Sequence, residues 1–366
     1  MTFLDGDRVD VAGFAYARGQ APRAHGQLRV EPADFVVEED CPVVFDEAGE
    51  HVWLWIEKTG LTTPHLVERL SAATGVHPRY IGYSGLKDRH AVTRQWFSLA
   101  WPIKSELPAW PEEADWRILA VHRHGRKLKR GTHRANSFVI RVRGVRDLDR
   151  EQLTHDAARA RQSGVPNYFG PQRFGHGGRN LELARALFAG KRLSRNRRGF
   201  ALSAARSLVF NAVLDARIAA DRWPEPMAGD VFMLAGSQSV FAASTSAESA
   251  ASLAERVAAQ DIHPTGPMAG RLGSNAVVPD REAGALEQRV LAEYPDLTQG
   301  LEAARVDAER RALRLAVPDL ELSFEQDDVL LRFSLPSGAF ATSVLRELIA
   351  VEDASQTVEP AEGDRG

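Results

Sequence analysis

The chain has 366 residues, 44% hydrophobic and 26% charged, with a net charge of −3. That is long enough for two or three domains and apolar enough for real cores, which excludes a fibrous or wholly disordered class. The single cysteine, Cys41, excludes intramolecular disulfides and cysteine-based zinc sites and suits a reducing compartment. The opening residues, MTFLDGDRVDVAG, carry Asp5, Asp7 and Asp10 and lack the basic and apolar regions of a secretory leader. No apolar run approaches the roughly 18 residues of a membrane span. A cytoplasmic protein with no membrane partner is expected.

Residues 27–30 predict a short strand, PADF (32–35) a turn, and VVEE (36–39) a second strand. In HVWLWIE (51–57), Val52, Leu54 and Ile56 alternate with Trp53 and Trp55, the pattern of a half-buried strand. A helix is expected next, with Thr63 as N-cap, Pro64 at the first helical position and Gly75 as the stop. Residues 80–84 and 93–100 read as strands around a loop at 85–92. FVIRVRGV (138–145) alternates Phe138, Ile140 and Val142 with a face carrying Arg141 and Arg143.

Helical patterns dominate from about 150 to 315, at 150–162, 181–190, 203–221, 247–260, 281–294 and 301–311. Short strands at 231–234 and 239–242 interrupt them, and HPTGPMAGRLGSN (263–275) reads as a Gly/Pro-rich loop. Strand periodicity returns at 329–335, followed by a turn at 336–338 and an amphipathic helix at 340–348. This order predicts an α/β fold with a helical domain inserted at a surface loop. The expected boundaries are 1–163 and 316–352 for the two parts of one domain, 164–315 for the insert, and 353–366 for a disordered tail.

Charge is segregated. Residues 117–146 hold ten Lys or Arg and no Asp or Glu, and KRLSRNRR (191–198) is a second cluster. Only six of the 46 cations are lysine, a balance that favours bidentate phosphate contacts. Such patches on a mildly acidic chain predict a polyanion partner, against the competing reading of solvated basic loops.

No phosphate-binding P-loop, G-x-S-x-G elbow or H-E-x-x-H motif is present. RFGHGGRN (173–180) lacks the strand–loop–helix setting of a dinucleotide site. No metal is expected. What remains is a lone acid. In YSGLKDRHAVTRQWFSL (83–99), Asp88 lies between Lys87 and Arg89 on a loop that also holds Gly85. It is either a solvated loop charge or a carboxylate kept ionised by flanking cations and able to act as nucleophile or base. A glycosidase would place a second acid opposite, and no convincing partner lies near the loop. Phe35, Phe138 and Phe340 read as core rings or as platforms for an unstacked base, whose edge Asn136 could bond.

GLKDRHAVTRQW resembles the catalytic motif of the tRNA pseudouridine synthase D (TruD) family. RVEPADFVVEED (29–40), NSF (136–138), GVPNYFGPQRFG (164–175), LSAARS (202–207) and LPSGAFATSVLREL (335–348) resemble further family motifs, in the family's order. The resemblance runs from about residue 27 to 350. It implies the pseudouridine synthase fold, a mixed, largely antiparallel sheet with flanking helices, carrying an inserted helix-rich TRUD domain. It also implies isomerisation of uridine to pseudouridine in tRNA, at position 13 in bacterial members, without a cofactor.

By this resemblance Asp88 is the catalytic aspartate, and Phe35, Asn136 and Phe340 match positions of the substrate site. Phe138 matches the ring that stacks on the target uracil. Arg29 stands where the family often has lysine and keeps the charge. Lys87 is expected beside the substrate, holding Asp88 ionised and touching RNA phosphate. The implied partner is tRNA, gripped by the two basic clusters. Arg173 is either a further RNA contact or half of a structural ion pair. A monomer is favoured. The alternative is a non-catalytic tRNA-binding protein or RNA chaperone, which would have no need of the acid at Asp88.

Overall fold

The computed structural model describes residues 4–5, 8–9, 13–108, 110 and 113–356, arranged as two compact units. One comprises Arg23–Ala157, Val317–Ala339 and the segment from Leu348 onward. The other comprises the segment up to Pro22, Ala158–Ala316 and Phe340–Glu347.

A ten-stranded sheet forms the first unit. Its centre is the strand Ala135–Arg146, antiparallel to Phe35–Asp40 on one side and to Asp328–Pro336 on the other. Phe35–Asp40 runs parallel to Val92–Ala100, which pairs in turn with His51–Thr59 and through it with Trp116–His124. Glu321–Glu325 closes the far edge. His25–Leu28 joins Ala135–Arg146 and runs parallel to Ala350–Asp353. The sheet is therefore mixed and largely antiparallel.

Side-chain parity explains the core. Val37, Phe138 and Phe333 lie opposite one another across three strands, and Ile140 and Leu331 continue that face. The helix Thr63–Thr74 covers the inner strands with Leu66, Val67 and Leu70, which meet Val52, Leu54, Ile56, Phe97 and Leu99. Each such side chain contributes roughly 1.5–3 kcal/mol on burial. Trp53 is buried as well, so its strand is covered on both faces rather than half-buried. The N-cap is Thr62, whose Oγ1 accepts from the His65 amide at 3.2 Å, one residue before the expected Thr63. Gly75 closes the helix at φ 72°.

The second unit is built around the 25-residue helix Arg195–Ala219, against which Arg179–Phe188, Arg281–Leu291 and Pro295–Ala303 pack. Ala201, Ala204, Ala205, Leu208 and Val209 are fully buried there. Val240–Ala242, Val231–Leu234, Ile262–Met268 and Glu309–Ala312 form an antiparallel sheet in that order.

Several expectations are corrected. The Gly/Pro-rich stretch is not all loop, because Ile262–Met268 is an inner strand. Its prolines lack N–H donors, but the carbonyls still pair, as where Leu313 N donates to Pro264 O at 2.9 Å. Gly266 is needed there, since a Cβ would approach Leu313 Cδ2 to 2.8 Å. The helix expected at 301–311 ends at Ala303, and Glu309–Ala312 is a strand. The long helix begins at Arg195, not 203, because its polar first turns carry no apolar period. Trp116–His124 is a strand concealed within the basic run. The expected tail begins in regular structure: Ala350–Asp353 is a strand and Ala354–Gln356 a turn of 3-10 helix, while 357–366 lies outside the described residues.

Candidate active site

The site is assembled in the sheet unit around the 84–91 loop. Buried side chains peg that loop from beneath. Ser84 Oγ bonds His133 Nδ1 at 2.6 Å and accepts from the His133 amide at 2.7 Å. Gln95 Nε2 donates to Gly85 O at 3.0 Å. Thr63 Oγ1 accepts from Lys87 N at 3.0 Å and donates to Gln95 Oε1 at 2.9 Å. Lys58, fully buried, donates through Nζ to Asp88 O at 3.0 Å and Leu61 O at 2.5 Å. Gly85 fits because a Cβ there would press His133 Cε1 at 3.0 Å. Burial also lowers the pKa of His133, with Lys87 adding to the effect.

With the backbone fixed, the Asp88 side chain reaches solvent and is 52% exposed. Arg29 Nη2 donates to its Oδ2 at 3.0 Å, and Arg29 Nη1 donates to Asp353 Oδ2 at 2.6 Å. The Arg29 side chain is only 6% exposed and its guanidinium lies 4.1 Å from the Phe35 ring centroid. Arg29 holds φ 57°, a left-handed conformation costly for a residue with a Cβ. The turn after it is rigid. Asp34 Oδ2 caps the Glu31 amide at 2.8 Å, and Arg143 Nε bonds both Asp34 oxygens, at 2.8 and 2.9 Å.

Phe35 meets Phe138 edge-on at 6.1 Å, and Phe138 stacks on Phe333 at 5.4 Å. Phe138 is 8% exposed, its ring engaged by core neighbours on both sides. Asn136 shares its strand face, and its Oδ1 is buried without a hydrogen-bond partner among the described residues. Asp88, Arg29, Phe35 and Phe138 thus form a continuous chain of contacts. Lys87 does not join it. Its Nζ bonds Glu39 Oε1 at 2.9 Å, with both side chains nearly inaccessible. The cation on Asp88 is Arg29, not the flanking Lys87. Phe340 belongs to the helical unit, where its ring lies 6.3 Å from that of Phe169.

The sequence reading missed Lys58, Glu39, Thr63, Gln95 and Asp353. Parity held a signal for two of them: Lys58 follows Leu54 and Ile56 on a buried face, and Glu39 follows Phe35 and Val37. Asp353 fell within the expected tail and gave none.

The basic run is partly neutralised. Arg117 pairs with Glu57, Arg134 with Asp40, Arg141 with Glu325 and Asp328, and Arg143 with Glu31 and Asp34. Arg126, Lys129 and Arg146 have no acidic partner among the described residues. Lys191, Arg192, Arg195 and Arg197 are exposed and likewise unpaired among the described residues.

The family profile of tRNA pseudouridine synthase D (TruD) matches residues 12–191 and 182–348. A tRNA pseudouridine synthase D of Chromohalobacter salexigens is 48% identical over 343 residues, covering 90% of this chain and 95% of that one. One of Nitrosococcus oceani is 43% identical over 358 residues, covering 96% and 98%. A solved Methanosarcina mazei chain, presented as a candidate tRNA pseudouridine synthase D, shares the fold at TM-score 0.70 and 21% identity, over 88% of this chain and 93% of its own.

Proposed function

The chain belongs to the tRNA pseudouridine synthase D family, and from that premise we infer that it isomerises uridine to pseudouridine in tRNA with Asp88 as the catalytic carboxylate. The observation that carries the residue assignment is the half-exposed Asp88 side chain on a backbone pegged by Lys58, Thr63 and Gln95 and paired to buried Arg29. A loop acid of no consequence would need none of this support.

The reaction breaks the N1–C1′ bond, turns the uracil and joins C5 to C1′, after which C5 gives up its proton. Asp88 attacks C1′ or removes a sugar proton as the uracil departs with the bonding electrons. Arg29 orients the carboxylate. The Asn136 Oδ1, unpaired among the described residues, suits an N–H of the uracil, which must stay bound while it turns. Position 13 is the uridine the family resemblance points to.

The test is pseudouridine formation in unmodified tRNA transcripts, with purified protein and no added cofactor, the modified site being mapped. Wild type should modify position 13 and Asp88→Asn should not, while still binding RNA. Tight binding without pseudouridine from either protein would favour a binding-only role.

A further inference from the structure

We propose that Arg173 and Arg311, in the helical unit, form a binding site for a backbone phosphate of RNA, an assignment that rests on the tRNA reading above. Both guanidiniums lie against one ring: Arg311 is 4.3 Å and Arg173 5.1 Å from the Phe169 centroid. Arg173 also lies 5.6 Å from the Phe340 centroid.

Neither arginine has a carboxylate partner among the described residues. Other largely buried arginines of the unit are more fully engaged. Arg217 bonds Asp230 at 2.6 Å, and Arg310 takes both Glu287 oxygens, at 2.6 and 2.9 Å. Arg314, which also lacks an acid, donates instead to Val257 O, Ile262 O and His263 Nδ1. Arg173 and Arg311 spend far less of their capacity. Each carries five N–H donors. Arg311 gives one bond, to Asn167 Oδ1 at 2.7 Å, and Arg173 one, to Ser203 Oγ at 2.9 Å. The Nε of each is buried without a partner among the described residues.

Two partly desolvated like charges beside one ring are unfavourable unless an anion joins them. Burial and the neighbouring Arg173 push Arg311 down to about 10, in keeping with that strain. A phosphodiester supplies the missing charge, and its paired oxygens match the guanidinium fork. Arg173, Arg311 and Phe340 each keep part of their surface exposed. The partly exposed Phe340 ring offers apolar surface to the adjoining nucleoside, while Phe169 backs the site from the core. The frame is preformed: Asn211 clamps the Phe169 backbone with two 2.9 Å bonds, and Asn167 Nδ2 holds Ala312 O at 2.8 Å.

The experiment compares wild type with Arg173→Gln and Arg311→Gln in three measurements: Tm in anion-poor buffer, the Tm rise caused by inorganic phosphate, and the salt dependence of tRNA binding. Relief of repulsion should leave the Tm of each variant equal to or above that of wild type. The phosphate-induced rise should shrink, and the slope of log Kd against log salt should fall by roughly 0.7–0.9 per lost contact. Lower Tm with an unchanged phosphate response and slope would overturn the proposal and make both arginines structural. Should the glutamine variants not fold, Arg311→Lys keeps the charge without the fork, and a phosphate response equal to wild type would overturn it too. A phosphate response in wild type without tRNA binding would overturn RNA as the source and the functional reading with it. Firm tRNA binding with wild-type slopes in both variants would overturn this site alone.

Discussion

Arg29 Nη2 donates to Asp88 Oδ2 at 3.0 Å across 59 residues of sequence. The same guanidinium holds Asp353 and covers the Phe35 ring, from a backbone at φ 57°. Arg29, held in turn by Asp353 and Phe35, therefore sets the direction of one carboxylate. Arg29→Met should lower kcat by about 10²-fold or more, the scale seen when one preorganised charged donor is lost. Arg29→Lys should retain an intermediate rate, since a single ammonium cannot serve both acids in the same geometry. Steady-state kinetics on a tRNA transcript measures this, and an unchanged kcat in Arg29→Met would remove Arg29 from the site.

Lys87 and Glu39 form a buried pair at 2.9 Å, which makes Lys87 a structural residue of the loop. Lys87→Met should destabilise the fold by about 3–5 kcal/mol, because Glu39 is left charged and buried. Lys87→Met combined with Glu39→Gln should recover much of that loss. Urea unfolding reads both. A Lys87→Met variant of native stability but raised KM would return Lys87 to the substrate.

Burial pushes Lys58 down from 10.5 to about 8, with Asp88 opposing the shift and Lys87 assisting it. Between those two pH values the unfolded chain holds a proton that the native chain has released. Stability from this group therefore rises with pH across that window, by up to about 3 kcal/mol. Lys58→Met should lack the rise. Unfolding free energies of both proteins at pH 8 and pH 10.5 should diverge accordingly, and parallel profiles would count against the depressed amine.

Lys191 and Arg192 are exposed just before a long helix and Arg195 and Arg197 in its first turn, where cations oppose the helix dipole. Their placement there fits contact with phosphate. Replacing all four with Gln should weaken tRNA binding most at low salt and reduce the salt slope by roughly 0.7–0.9 for each true contact. Filter binding at several salt concentrations measures it, and an unaltered slope would assign RNA binding elsewhere.

Local order was legible in the residues alone. The alternation through Phe138, Ile140 and Val142, the stop at Gly75 and the loop bearing Asp88 all depend on periods and turn preferences that act within a few positions. The resemblance grouped Asp88 with Arg29, Lys87, Phe35, Asn136, Phe138 and Phe340; of these, Arg29 meets Asp88 and Phe35, and Phe35 meets Phe138. What the residues alone left open was partnership. The run 117–146 shows no acid in sequence, yet Arg117, Arg134, Arg141 and Arg143 meet acids carried by other segments. Lys87 beside Asp88 in sequence turns instead to Glu39, and Arg29 takes the carboxylate. Parity settles which face of a strand a side chain occupies. Strand order and register settle what stands opposite, and these arise from the pairing of Phe35–Asp40 with both Val92–Ala100 and Ala135–Arg146, segments that only the folded sheet brings side by side.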